Sequence, residues 1–141
     1  MSLFQGILGN MSEMTAEQLQ QQYGQYLMDG EIIHTGFKLV RDVMIITDRR
    51  ILEFDKQGAT GQKMRVNSIY LNSIFNVSAE TAGFGIDDSE LEIDYIATPY
   101  LKAHGIKYES KKFEFPKKYN IQQLYKLLQE YAYNNFMNLN K

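Results

Sequence analysis

RDVMIITDRRILEFDKQGATGQK, residues 41–63, sets two short apolar runs on either side of Asp48-Arg49 and ends among glycines. Val43 and Ile45 alternate with Met44 and Ile46, and Ile51, Leu52 and Phe54 follow the polar break. Runs this short, rich in β-branched and aromatic residues and bounded by polar or glycine positions, predict two strands joined by a tight turn. The first of these strands is apolar on both faces. Only one face can meet an internal core, so the other must be covered by the N-terminal helix, by a partner subunit, or by both.

The period of two extends outward from this hairpin. Candidate strands are EIIHTGFKLV (31–40), DVMIITD (42–48), RILEFD (50–55), QKMRVNSI (62–69), IFNVSAET (74–81), ELEIDYIA (90–97) and GIKYESKKFEF (105–115). The junctions are too short for crossover helices, which predicts antiparallel pairing. In the sixth strand Leu91, Ile93 and Tyr95 alternate with Glu90, Glu92 and Asp94, so one face is core and the other water. In the seventh, Ile106 and Tyr108 lie on one parity and Phe113 and Phe115 on the other, so a bulge is expected near Ser110-Lys111.

Helices flank the strands. Thr15 and Gln18 have capping-box spacing, Met14 and Leu19 can staple across the cap, and Asp29-Gly30 supplies a stop, which predicts a helix over 16–28. After Pro116, Asn120 can cap a last helix with Ile121, Leu124, Leu128, Tyr131 and Ala132 as its apolar stripe. The tail NNFMNLNK is expected to fray. The division expected is an N-terminal helical extension, 1–30, and a β-rich domain, 31–141.

Composition narrows the function. Fifteen basic against 17 acidic residues give no overall field for a phosphate backbone, so nucleic acid is not an expected partner. With no cysteine there is neither a disulfide framework nor a thiolate site, which fits a cytoplasmic setting. No apolar run approaches the ~20 residues of a membrane span, and the opening MSLFQGILGN lacks the basic flank of a secretory signal.

The hairpin, together with SIYLNSIFNVSAETAGFGIDDSELEID (68–94), resembles the bacterial PH (pleckstrin homology-like) domain family. Thr47, Arg50, Asp55, Lys56, Gln57, Gly58, Thr60, Gly61 and Lys63 carry the first matching motif. Glu80, Thr81, Ala82, Gly83, Asp87, Glu90, Leu91 and Glu92 carry the second. The sequence departs at Asp48-Arg49, where the family more often has an amide and a lysine, and at Gln62, where a lysine is usual. The resemblance implies a mainly β fold, a seven-stranded antiparallel sandwich or open barrel capped by a C-terminal helix. It also implies a non-enzymatic module, with ring-shaped homo-oligomers as a recurrent assembly.

Chemistry-bearing constellations are sparse. His34 and His104 stand alone, without a nucleophile motif or a second ligand at metal spacing, so neither an enzyme nor a cofactor is expected. GFGIDDSE lacks the third glycine and the following helix of a phosphate cradle, and Leu91 breaks its reading as a calcium loop. Glu90, Glu92 and Asp94 read as a solvated face answered by Lys107 and Lys111. Lys38, Arg41, Arg49, Arg50 and Lys56 are the candidate contacts for an anionic headgroup. Against that reading, Val43 to Ile46 fill the strand where basic groups are needed, and Asp42 opposes an anion. Arg50 is expected to pair with Asp48 or Asp55, leaving Arg49 freer.

Leu3, Phe4, Ile7 and Leu8, at helix-like spacing, join Val43, Met44, Ile45 and Ile46 as the candidate interface of a homo-oligomer. Membrane contact is not favoured, because no lysine or arginine precedes Lys38. The expected function is thus a self-assembling PH-like binding or scaffold module. The alternatives are a peripheral lipid-headgroup binder and a module that recognises another protein or peptide.

Overall fold

The computed structural model describes residues 14–57 (backbone alone at 56 and 57), 63–81, 88–98 and 105–139. Seven antiparallel strands form two sheets, with a helix before the first strand and another after the last. The chain divides into two compact units, Met1–Ser68 and Ile69–Lys141.

Among the described residues of the first unit, the first element is helix α1, Ala16–Tyr23. Its start is the expected capping box: Gln18 N–H donates to Thr15 Oγ1 at 3.1 Å, and Thr15 N–H donates to Gln18 Oε1 at 3.0 Å. The α-helix ends at Tyr23, five residues short of the expected end at 28, and tightens into a single 3-10 turn over Gly24–Tyr26. Gly30, at φ +81°, then takes the left-handed turn that admits glycine with least strain.

Strands β1 (Ile33–Lys38), β2 (Val43–Thr47), β3 (Arg50–Gln57) and β4 (Lys63–Tyr70) follow in spatial order 1-2-3-4, and β4 crosses the boundary between the units. The β2–β3 hairpin pairs Val43 with Phe54, Met44 with Glu53, Ile45 with Leu52 and Ile46 with Ile51. A register shift between Ile33 and Thr35 makes His34 the extra residue of a bulge. That shift turns Ile33 toward the cluster of Leu19, Tyr23, Ile45, Leu52 and Phe54, with Met14, Leu27, Val43 and Val66 packed around it. α1 therefore covers one face of the first sheet.

In the second unit, β5 (Ile74–Glu80), β6 (Ser89–Ile96) and β7 (Tyr108–Phe115) form the second sheet, followed by helix α2 (Gln122–Leu139). β6 alternates as its sequence predicts, burying Leu91 and Ile93 on the inner face. Register is continuous from Ser89–Phe115 to Ile96–Tyr108, so the expected bulge near Ser110-Lys111 is absent. The change of apolar parity has another cause: Ile106 and Tyr108 are exposed, so only Phe113 and Phe115 belong to the core. The answering lysine also differs, since Glu92 stands opposite Lys112 and Lys111 stands opposite Ile93.

α2 starts with Gln122 N–H donating to Asn120 Oδ1 at 3.1 Å and buries Leu124, Leu127, Leu128 and Ala132. It stays helical through Leu139, where fraying was expected from NNFMNLNK. Asn135 contributes to this, because its Nδ2 donates to the carbonyls of Leu71 and Ile74, both at 2.8 Å.

Candidate functional site

The turn that closes the β2–β3 hairpin is a polar network built around one carboxylate. Glu31, just before β1, lies buried with its side chain fully enclosed. Arg50 grips it with two parallel bonds, Nε to Oε2 and Nη2 to Oε1, both 2.8 Å. The Thr47 hydroxyl donates to Oε2 at 2.7 Å and the Met28 amide donates to Oε1 at 2.9 Å. Thr47 Oγ1 in turn accepts from the amides of Arg49 and Arg50, which fixes the turn. The remaining guanidinium donors reach Ser68 Oγ and the carbonyl of Tyr26, so the arginine ties β3 to β4 and to the end of the N-terminal segment.

Burial works to raise the Glu31 carboxyl's affinity for a proton. The hydrogen bonds from Arg50, Thr47 and Met28, with the Arg50 charge, outweigh it and hold the group at about 2. The expectation that Arg50 pairs with Asp48 or Asp55 is therefore corrected: its partner is Glu31, and the family's Thr47 and Arg50 serve this lock. Asp48 instead accepts from the Ile32 amide at 2.9 Å. Arg49 approaches Asp48 only at 4.0 Å, with both side chains about a third or more exposed.

Lys38 and Arg41 lie exposed at the β1–β2 turn. They share that turn with acid: Asp42 is half-buried there, and the strand register puts Glu53 and Asp55 on the same face of the hairpin. The carboxylates oppose an anionic ligand at this end of the hairpin. The side chain of Lys56 lies outside the described residues.

The apolar candidates fall differently. Met44, Ile45 and Ile46 have no exposed surface at all, and Val43 is half-buried against the α1 cluster. α1 supplies in cis the cover that a doubly apolar strand needs, so β2 has no face to offer a second copy. Leu3, Phe4, Ile7 and Leu8 lie outside the described residues, as do His104 and the glycines of GFGIDD.

Among the described residues, the second unit exposes apolar side chains on its sheet and on α2. On the sheet, Tyr108 is exposed and meets Phe75 edge-on at 5.6 Å. On α2, Tyr133, Phe136 and Met137 are 62%, 57% and 48% exposed. Their spacing of three and four residues puts them on one helical face, in a stretch, 131–139, that carries no charge. Sequence reasoning passed over Phe136 and Met137 because their segment, NNFMNLNK, reads as a fraying tail, and Tyr133 lies just before it, outside the apolar stripe expected of the helix. Among the described residues no group of histidine and carboxylate side chains could hold a metal ion, and no helix is long and apolar enough to cross a membrane.

The strand order, the hairpin lock and the terminal helix define a PH-like module. Residues 2–132 match the family described as bacterial PH domain, and the chain belongs to that family. It is 43% identical over 93 residues to the uncharacterized protein YjqA of Bacillus subtilis strain 168, a match covering 66% of this chain and 74% of YjqA. Among solved structures it is similar to a pleckstrin homology domain from Shewanella amazonensis SB2B, with a TM-score of 0.63 and 28% identity over 92% of this chain and 98% of that one. The fold also matches a DUF1696 family protein with a pleckstrin-homology domain from Shewanella loihica PV-4, with a TM-score of 0.61 and 24% identity over 86% and 96%.

Proposed function

We propose that the chain is a non-enzymatic binding and scaffold module that associates with copies of itself. The observation that carries this reading is the uncharged face of α2, where Tyr133, Phe136 and Met137 each leave about half or more of their surface in water. Apolar side chains clustered in this way lower their free energy when a partner excludes water, by about 25 cal/mol per Å² covered. Identical copies present identical faces, so two such faces meeting close a dimer, whereas packing of the face on a different surface of the next copy ends in a ring or a filament. The candidate surface thus moves from β2, which α1 covers, to α2.

Sedimentation velocity on the wild type and on Tyr133→Glu tests this. The wild type is expected to sediment as an oligomer and the variant, with a charge in the centre of the face, as a smaller species. An unchanged distribution in the variant, with its circular dichroism intact, would remove α2 as the interface.

A further inference from the structure

Register lays out the outer face of the second sheet in rows. Ile96 stands opposite Tyr108, Asp94 opposite Asn76 and Ser110, Glu92 opposite Ser78 and Lys112, and Glu90 opposite Glu80 and Glu114. Successive rows are two residues, about 7 Å, apart. The first row is apolar. Tyr108 is exposed, its ring meets Phe75 edge-on, and half-buried Ile96 lies on the strand between them. The next row is polar and satisfied within itself, since Asp94 accepts from Asn76 Nδ2 at 3.1 Å and from the Ser110 hydroxyl.

Beyond it the face turns acidic. Glu80, Glu90, Glu92 and Glu114 occupy the two remaining rows, and among the described residues of the three strands Lys112 is the cation on their side. Lys111 stands opposite inward-facing Ile93, and Lys107, whose carbonyl accepts from the Ala97 amide, has the same parity. Lys112 approaches Glu90 at 3.7 Å with both side chains partly exposed, and one ammonium leaves the surplus negative. An open groove of about 360 Å³ lies here, lined by Ser78, Ala79, Glu80, Glu90, Glu92 and Lys112.

We propose that this face binds a cationic segment of a partner protein, with an apolar side chain seated on Phe75 and Tyr108 and lysine or arginine side chains laid over the groove. Charge complementarity selects the partner, because the carboxylates attract a basic segment and repel phospholipid headgroups and nucleic acid backbones. The aromatic pair supplies what charge alone lacks, a contact that fixes which end of the segment lies where. Three row spacings separate the apolar row from the last acidic one, about 20 Å, which an extended segment of about six residues spans. The face shares no residue with the exposed apolar stripe of α2, so the proposal stands apart from self-association.

Amide NMR of the full chain at low salt, titrated with a synthetic peptide in which a leucine is followed by lysines alternating with serines, tests this. Shifts are expected to centre on residues 75–80, 90–96 and 108–114 and to weaken as salt rises. The wild type should bind this peptide several-fold more tightly than one with serine in place of the leucine, and Tyr108→Ser should erase that difference. Glu80→Lys with Glu92→Lys should lower the affinity at least about tenfold and leave the molar mass of the protein unchanged. Shifts centred elsewhere, or equal binding of the two peptides by the wild type, would overturn the proposal whether or not the variants fold. So would a charge-reversed variant that binds as tightly as the wild type, or one whose molar mass falls, which would assign the face to a second copy.

Discussion

Leu19 of α1 sits in the notch that Gly36 of β1 leaves open: a Cβ at Gly36 would stand 2.6 Å from Leu19 Cδ2 and 3.0 Å from Cδ1. The helix approaches the sheet this closely because the strand has no side chain there. Gly36→Ala is therefore expected to push α1 outward and to lower stability by about 1–3 kcal/mol in denaturant melts. Leu19→Ala in the same background should cost less than it does alone, since the two changes relieve one clash.

Arg50 and Glu31 form the pair on which the hairpin turn depends. Arg50→Met leaves a fully enclosed carboxylate without its cation, and truncation of such a pair costs about 3–5 kcal/mol. Arg49→Met, at an exposed 4.0 Å contact, should stay within about 0.5 kcal/mol of the wild type. Equal losses in thermal melts of the two variants would contradict the division of roles.

The same lock gives an acid signature. Glu31 is held below its ordinary value, at about 2, so its stabilising contribution is present above 4.5 and disappears as pH falls through about 2. Glu31→Gln should flatten the loss of stability over that interval, measured by urea unfolding at successive pH values.

The fold was legible where the signal is local. Alternation in β6, the Thr15–Gln18 box and the break at Asp48-Arg49 each require only neighbours in sequence, and each matches the structure. Arg50's partner was not legible, because Glu31 lies 19 residues away and meets it only once β1 has folded back beside β2. The missing bulge in β7 has a related cause: parity records where apolar residues fall, whereas Ile106 and Tyr108 are apolar yet exposed. The site was least legible of all. Two-faced β2 demanded a cover, and sequence could not choose between α1 and a second copy.

Ser89 offers a gain rather than a loss. Its hydroxyl is buried on β6 and has no hydrogen-bond partner among the described residues. Ser89→Ala removes a desolvated polar group and should raise stability by about 1 kcal/mol in a thermal melt. A destabilised variant would mean that the hydroxyl is satisfied in solution.

Headgroup binding is best tested away from the lock, because Arg50→Glu breaks the hairpin turn whatever its surface does. Lys38→Glu with Arg41→Glu alters only exposed side chains at the acid-lined turn. Co-sedimentation with phosphatidylserine vesicles at low salt is expected to be weak and unchanged by this pair. A marked loss would restore the lipid reading.

The central claim is self-association, and molar mass decides it most directly. Light scattering of the wild-type chain across micromolar concentrations is predicted to give a multiple of 16.4 kDa that falls for Tyr133→Glu. A mass of 16.4 kDa at every concentration would contradict the account.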